Sequence, residues 1–351
     1  MLLEGLQLPL TTPFYSDGRV HLLKLEHNAE RYSKTPAAGL VVLSESGEPG
    51  MLSDEETRLV LQSARDAAAA EKVLMAGVSR DSVLGTLDLA ETAARSGYDA
   101  VLVKLPSVLR ADGRGDRTLE MMTYFQMIAD RSALPVVLDS SAAMGALPAE
   151  VLIELAGHPG VIGVIDGGGT GERVRRLRAG TAMVKRDVAV TMVFAAVTGR
   201  MQARGEGEGG LISANKLTGG GAALAVAPAK MGLKTRSKAV GFQILAGLTN
   251  GMLEGLRAGA VGAVPGFAAS APQACYEVLA AWKDGDEGLA EEKQTRLLNV
   301  ARRVEEQLGV SGIKFGCDLN GYAGGVPRMP LLPLTGEERA EIEALMQGLR
   351  N

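Results

Sequence analysis

Eight short apolar runs recur along this chain, each followed by a segment of helical periodicity: LQLPLTTP, GLVVLSES, KVLMAGVS, DAVLVKLP, LPVVLDSS, VIGVIDGG, FQILAGLT and GAVGAVPG. A strand with one wet face alternates apolar and polar residues, so runs apolar on both faces suit parallel strands covered from two sides. The intervening segments carry helix signals. Ser53 with Glu56 three residues on forms a capping box at the head of LSDEETRLVLQSARDAAAAE, Pro148 takes a first-turn position in PAEVLIELAG, and TLEMMTYFQMIADRS is helical throughout. Eight such units predict an α/β fold, a (β/α)8 TIM barrel over residues 1–269, with an open doubly wound sheet as the alternative.

One interval breaks the rhythm. Between the sixth helix, GERVRRLRAGT, and the seventh strand lie roughly fifty residues of extra chain, too many for an ordinary connection. We read residues 182–240 as an insertion. DVAVTMVFAAVTG, ARGEGEGG and LTGGGAALAVAPAK suggest strands or short helices of its own and at least one mobile loop. Its roots belong on the N-terminal face of a barrel, which suits packing or subunit contact; GEGEGG would serve as a lid hinge if the insertion reached a neighbouring mouth. Beyond the eighth run, residues 270–351 predict a C-terminal helical region whose last helix opens with a Thr335/Glu338 capping box.

Composition narrows the function. An apolar share of 46% over 351 residues is ample for a packed core, while a net charge of -4 and 4% aromatic residues offer no basic, stacking face for nucleic acid. A small-molecule partner is expected instead. Cys275 and Cys317 are too few for a disulfide framework, and MLLEGLQLPL lacks a basic region followed by a long apolar core, so a cytoplasmic protein is expected. VAVTMVFAAVTG falls well short of the roughly 20 residues needed to cross a bilayer, so no membrane span is expected.

In barrels of this kind the reaction site is built at the C-terminal ends of the strands. Those ends carry Thr11-Thr12, Ser44 to Glu48, Ser79-Arg80, Lys104, Asp139 to Ser141, Asp166, Thr249-Asn250 and Pro265-Gly266. Here LTTPFYSDGRV, SESGEPGMLSDEE, MAGV, GYDAVLVKLPS, LPVVLDSS, VIGVID, FQILAGLTNGMLEGLRAGAVGAV and RMPLLPLTGEE follow in order the landmarks of a known family. The chain resembles the dihydrodipicolinate synthase / N-acetylneuraminate lyase family over nearly all its length outside the insertion. The resemblance implies an aldolase-type barrel in which a lysine at the end of strand six forms a Schiff base with pyruvate or a related 2-oxo acid. It also implies a homo-oligomer, dimer or tetramer, with no cofactor and no metal.

Carried over residue by residue, the resemblance puts the loop that binds the oxo acid's carboxylate on Ser44-Glu45-Ser46-Gly47-Glu48. Ser46 keeps a hydroxyl, but Glu45 sets a negative charge where a threonine belongs and would repel a bound carboxylate. The family's proton-relaying tyrosine falls on Asp139 and its asparagine neighbour on Ser140; the clamp arginine has no counterpart in SAAMGAL. Gly247 and Val264 match pocket-lining positions. The Schiff-base lysine falls on Ile165, and Asp166 matches the acidic residue that often follows it. Isoleucine cannot form an imine.

Lys104 is the candidate for relocated chemistry. It ends an otherwise apolar fourth strand, where burial would favour the neutral, nucleophilic amine, with Asp139 next door to orient or deprotonate it and Ser46 to donate to substrate. Transaldolase-type barrels resemble this arrangement. The alternative is that Lys104 points outward, its stem crossing the helix layer to water.

Other residues carry bland readings. Lys314 is read as structural or interfacial, and Lys185 and Lys216 as solvated. His21, His27 and His158 lack ligand spacing. Glu45, Glu48 and Asp139 make a weak carboxylate cluster for Mg²⁺ or Mn²⁺, and GGGTGE at 167–172 could set a phosphate at a helix N-terminus.

Two functions are therefore expected in competition. One is a lyase of aldolase or hydro-lyase type on a small 2-oxo or hydroxy acid, working without the usual lysine. The other is a catalytically inactive binding or regulatory paralogue that keeps the pocket. A metal-assisted lyase, whose activity a chelator would abolish, is a third.

Overall fold

The computed structural model describes residues 1–109, 115–141, 146–207 and 233–349. Six strand–helix units come first: β1 (Gly5–Leu10) and α1 (Leu22–Ser33), β2 (Gly39–Val42) and α2 (Asp54–Ala67), β3 (Val73–Gly77) and α3 (Val83–Arg95). They continue with β4 (Ala100–Lys104) and α4 (Thr118–Arg131), β5 (Val136–Ser140) and α5 (Ala149–Ala156), β6 (Val161–Asp166) and α6 (Gly171–Gly180). After β7 (Arg186–Thr191), α7 (Gly199–Gly207) and β8 (Thr235–Val240), the series resumes with β9 (Gln243–Ala246), α8 (Met252–Arg257) and β10 (Gly262–Ala263). The strands close in the order β1-β10-β9-β6-β5-β4-β3-β2, all neighbours parallel. This is the eight-stranded barrel expected from the eight apolar runs, and the open doubly wound sheet is excluded.

Alternation along each strand splits the core into two shells. Leu74, Val101, Val103, Leu138 and Val164 face outward against the helices, while Met75, Ala100, Leu102, Val137, Ile165 and Leu245 fill the barrel. The inner shell ends below in a polar plug. Gln243 Oε1 accepts from Leu3 N at 2.7 Å, and Gln7 Nε2 donates to Leu3 O at 3.1 Å, so the N-terminal backbone pairs with two buried amide side chains.

The helices begin where their caps dictate. Ser53 and Glu56 form both halves of the capping box on α2, as do Thr335 and Glu338 on α12 (Gly336–Leu345). Pro148 stands one position earlier than expected, at the N-cap of α5 rather than in its first turn.

The described part of the insertion is an antiparallel hairpin, Arg186 opposite Val240 through Thr191 opposite Thr235, followed by α7 in the loop between its strands. It packs under the barrel. Leu2 joins Val188 and Val190 in a small cluster, Lys238 Nζ meets Glu4 Oε1 at 2.5 Å, and Gly199 N donates to Asp99 Oδ1 at 2.9 Å just before β4 begins. The last three residues of ARGEGEGG, together with LTGGGAALAVAPAK and Lys216, lie outside the described residues.

The C-terminal region comprises α9 (Pro272–Lys283), α10 (Glu287–Ala301), a π-helical segment (Arg302–Gln307), α11 (Gly309–Leu319) and α12. The π segment and α11 lie across the C-terminal mouth of the barrel. Among the described residues no helix is long and apolar enough to cross a membrane.

Candidate active site

A cavity of about 520 Å³ opens at the C-terminal mouth, within the range of small-molecule sites. Its floor is the top of the inner shell. Lys104, Asp139 and Ile165 are successive register partners across β4, β5 and β6, and all three continue the inward series set by Leu102 and Val137. Asp139 and Ile165 line the cavity, with Ser44, Glu45 and Ser46 on one wall and Gly247 and Val264 on another.

Asp139 is mostly buried. Burial, reinforced by the neighbouring Glu45 carboxylate and partly offset by Lys104, raises its pKa to about 6. It can therefore hold or release a proton near neutrality, as a general acid–base group must. Lys104 is partly buried and follows the inward alternation, but it lines a smaller neighbouring pocket of about 280 Å³ with Ser79 and Arg80. A narrow space lined by Lys104, Asp139, Glu45 and Ser79 lies between. The outward alternative for Lys104 does not hold, and neither does complete desolvation of its amine.

The loop carrying Ser46 and Gly47 is held by a polar frame below it. Thr12 Oγ1 donates to Gly47 O at 2.7 Å, and Leu43 and Glu48 adopt left-handed φ of 61° and 53°. A Cβ on Gly77 would lie 2.0 Å from Leu43 O, so only glycine lets β3 pass this turn. Glu48 turns away from the cavity to an ion pair with fully buried Lys314, whose Nζ also donates to Val326 O at 2.9 Å and sits 4.3 Å from the Phe14 ring centroid. Arg328 N donates to Glu48 Oε2 at 2.9 Å, and the Arg328 guanidinium pairs with Glu56, holding that carboxyl down at about 2. Lys314 is thus structural, as expected.

Several expected site residues are placed elsewhere. Ser140 belongs to the outward series: its Oγ accepts from Leu147 N at 3.0 Å and from Arg173 Nη2 at 3.2 Å, so it does not reach the cavity. Asp166 is also outward and buried, paired with Arg173 Nε at 2.7 Å. Glu48, bonded to Lys314 and Arg328, is withdrawn from the Glu45–Glu48–Asp139 metal cluster, and no group of three or more potential ligands forms among the described residues. The phosphate reading of GGGTGE is overturned. The Glu254 carboxylate already accepts from Gly171 N at 2.7 Å at the start of α6, where an anion would bind. His21 stacks on Tyr15 and His158 bonds Asp130 at 2.8 Å; Lys185 is exposed. SAAMGAL lies partly outside the described residues.

What the strand-end rule missed is the roof. Glu305, Glu306, Gly309, Val310 and Ile313 line the cavity from the C-terminal region. Burial raises the pKa of Glu305, whose carboxylate accepts from Gly266 N at 2.7 Å and Thr249 N at 3.3 Å. Glu306 accepts from Asn250 Nδ2 at 2.5 Å. Only the extra residue of the π turn in VEEQLG marks this stretch, and an amphipathic pattern does not show it.

A sequence model of the Dihydrodipicolinate synthetase family matches residues 2–188 and 228–349, omitting the heart of the insertion. The chain belongs to this family. Within it, the chain is 25% identical over 350 residues to a 4-hydroxy-tetrahydrodipicolinate synthase from Acidiphilium cryptum, covering 99% of each chain. It is 27% identical over 355 residues to an L-threo-3-deoxy-hexylosonate aldolase from Hypocrea jecorina, covering 99% of this chain and 95% of the other. A prophage protein of the dihydrodipicolinic acid synthase family from E. coli K12, solved with pyruvate, superposes over 99% of each chain with a TM-score of 0.75 at 21% identity. That superposition bears on the fold alone.

Proposed function

We propose that this member of the dihydrodipicolinate synthetase family is a lyase that forms or breaks a C–C bond, or adds or removes water, on a small 2-oxo or hydroxy acid without an amine at the end of β6. The observation that carries the reading is Asp139: a mostly buried carboxyl with its pKa raised to about 6, aimed into a 520 Å³ cavity at the reaction end of the barrel. The family resemblance puts the reactive lysine at Ile165, which has no amine to offer. Lys104, the register partner of Asp139 on the other side, takes that role in the imine version. Its amine would attack the 2-oxo carbon, Asp139 would protonate the departing oxygen so that water leaves, and the resulting carboxylate would then accept a proton from the adjacent carbon. Ser46 supplies a hydroxyl to the bound acid.

One observation favours the second reading, a pocket-retaining protein without turnover: Lys104 lines the side pocket rather than the main cavity. Incubation with pyruvate and other 2-oxo acids followed by borohydride and peptide mass mapping decides between them. An adduct on Lys104 supports the imine version, and no adduct with any acid overturns it.

A further inference from the structure

We propose that the half of the main cavity bounded by β6, β9, β10, β1 and α11 is a subsite for an apolar tail, alkyl or aryl, carried on the acid whose reacting end lies against Asp139. This rests on the reading of the cavity as a substrate site and names the chemical class of the substrate's far end.

The closing order of the barrel divides the cavity into two arcs. On the side of β2 and β5 lie Ser44, Glu45, Ser46, Asp139 and Ser141. The arc β6-β9-β10-β1 presents Ile165, Leu248, Val264 and Pro9, at or just beyond the strand ends, and Val310 and Ile313 of α11 face them from above. Val310 and Ile313 are three residues apart and so share one face of the helix. Ile165 and Val264 belong to the inner apolar shell, so this wall is the exposed top of the barrel core. Ile165 is the register partner of Asp139 on one side and of Leu245 on the other; a chain leading from the reacting carbon away from β5 meets the wall at once. The next residue, Asp166, turns outward to Arg173 and brings no charge to it.

The polar atoms of this arc are largely paired within the protein. Of the four glycines that line it, Gly167 N donates to Ser140 O at 2.9 Å, Gly247 N to Asp166 O at 2.9 Å and Gly266 N to Glu305 Oε1 at 2.7 Å. The other Glu305 oxygen accepts from Thr249 N at 3.3 Å, and Glu306, exposed at the rim, accepts from Asn250 Nδ2 at 2.5 Å. A hydroxylated tail would give up its hydration against aliphatic side chains, whereas methylene groups gain by leaving water. A volume of about 520 Å³ lies in the range that drug-sized ligands occupy, so a three-carbon acid at Asp139 leaves room beyond it.

The test is calorimetric titration of the full chain with pyruvate, 2-oxobutanoate, 2-oxopentanoate and 2-oxohexanoate, which share a head group and differ only in methylenes. 2-Oxogluconate supplies a hydroxylated tail of the same carbon number as 2-oxohexanoate, and hexan-1-ol a tail without the acid. We expect affinity to rise about threefold with each methylene and the heat capacity of binding to become more negative along the series. 2-Oxohexanoate should bind at least tenfold more tightly than 2-oxogluconate. Val310→Asn should flatten the series; Val310 is half-buried, and the melting temperature of the variant checks that the fold is kept. The wild-type series decides the matter even if that variant does not fold. Equal affinity along the series, or tighter binding of 2-oxogluconate, overturns the apolar subsite and leaves the site reading intact. A slope that a folded Val310→Asn leaves unchanged overturns its assignment to this wall. Hexan-1-ol binding that Val310→Asn weakens, with no 2-oxo acid bound, upholds the subsite and overturns the substrate class proposed above. Binding of no probe overturns both.

Discussion

Lys104 and Asp139 face each other directly across the β4–β5 ladder, both on the inward side, so an amine and an acid share a register position at this level of the barrel. Their coupling is measurable without knowing the substrate. By carboxyl-selective NMR, Asp139 should titrate near 6, below that in Glu45→Gln, and above it in Lys104→Met, because Glu45 raises and Lys104 lowers its pKa. Since the folded value lies above the ordinary 3.8, the stabilisation Asp139 contributes is complete below that value and is lost as pH rises through about 6. The stability of wild type relative to Asp139→Asn should fall across that window. A titration at an ordinary aspartate value would remove the argument for acid–base work.

Lys314 and Glu48 form a pair with side chains 0% and 1% exposed. Removing one partner strands a buried charge, so Lys314→Met should cost about 3–5 kcal/mol in chemical denaturation. The double variant Lys314→Met/Glu48→Gln should recover part of that loss. If the single variant is as stable as wild type, the pair does not hold the loop.

The Glu56–Arg328 pair makes a contribution with the opposite pH dependence. Arg328 lowers Glu56 from 4.5 to about 2, so its stabilisation is full above 4.5 and is lost as pH falls towards 2. The stability gap between wild type and Glu56→Gln should therefore be widest near neutrality and close progressively in acid. A gap independent of pH would mean the loss is one of packing.

Two glycines should respond oppositely to alanine. At Gly77 the new Cβ meets the Leu43 carbonyl, which should cost about 1–3 kcal/mol and disturb the Ser44–Glu48 loop above it. At Gly336, the first residue of α12, a Cβ meets nothing within 4 Å, so alanine should stabilise by about 0.4–1 kcal/mol by restricting the unfolded chain. Equal changes in melting temperature for the two variants would contradict both accounts.

The barrel was legible because its signals are local and repeated. Eight apolar runs covered on both faces, and caps such as Ser53/Glu56 and Thr335/Glu338, specify strands and helices with contacts a few residues apart. The same property hid the site. When both faces of a strand are apolar, alternation gives no parity, so the sequence alone left Lys104 undecided and put Ser140 in the pocket; the closed barrel turned Lys104 inward and Ser140 towards Arg173. Neither could the pairing of GGGTGE with Glu254 be read locally, since the two lie 83 residues apart. The family, and the isoleucine with no amine at position 165, were matters of sequence, fixed by residue identity along the chain. Which carboxylates line one cavity was decided by tertiary structure, because Glu305 and Glu306 share the mouth with Glu45 and Asp139 only when the π segment lies across it, and long-range closure leaves no period in the chain.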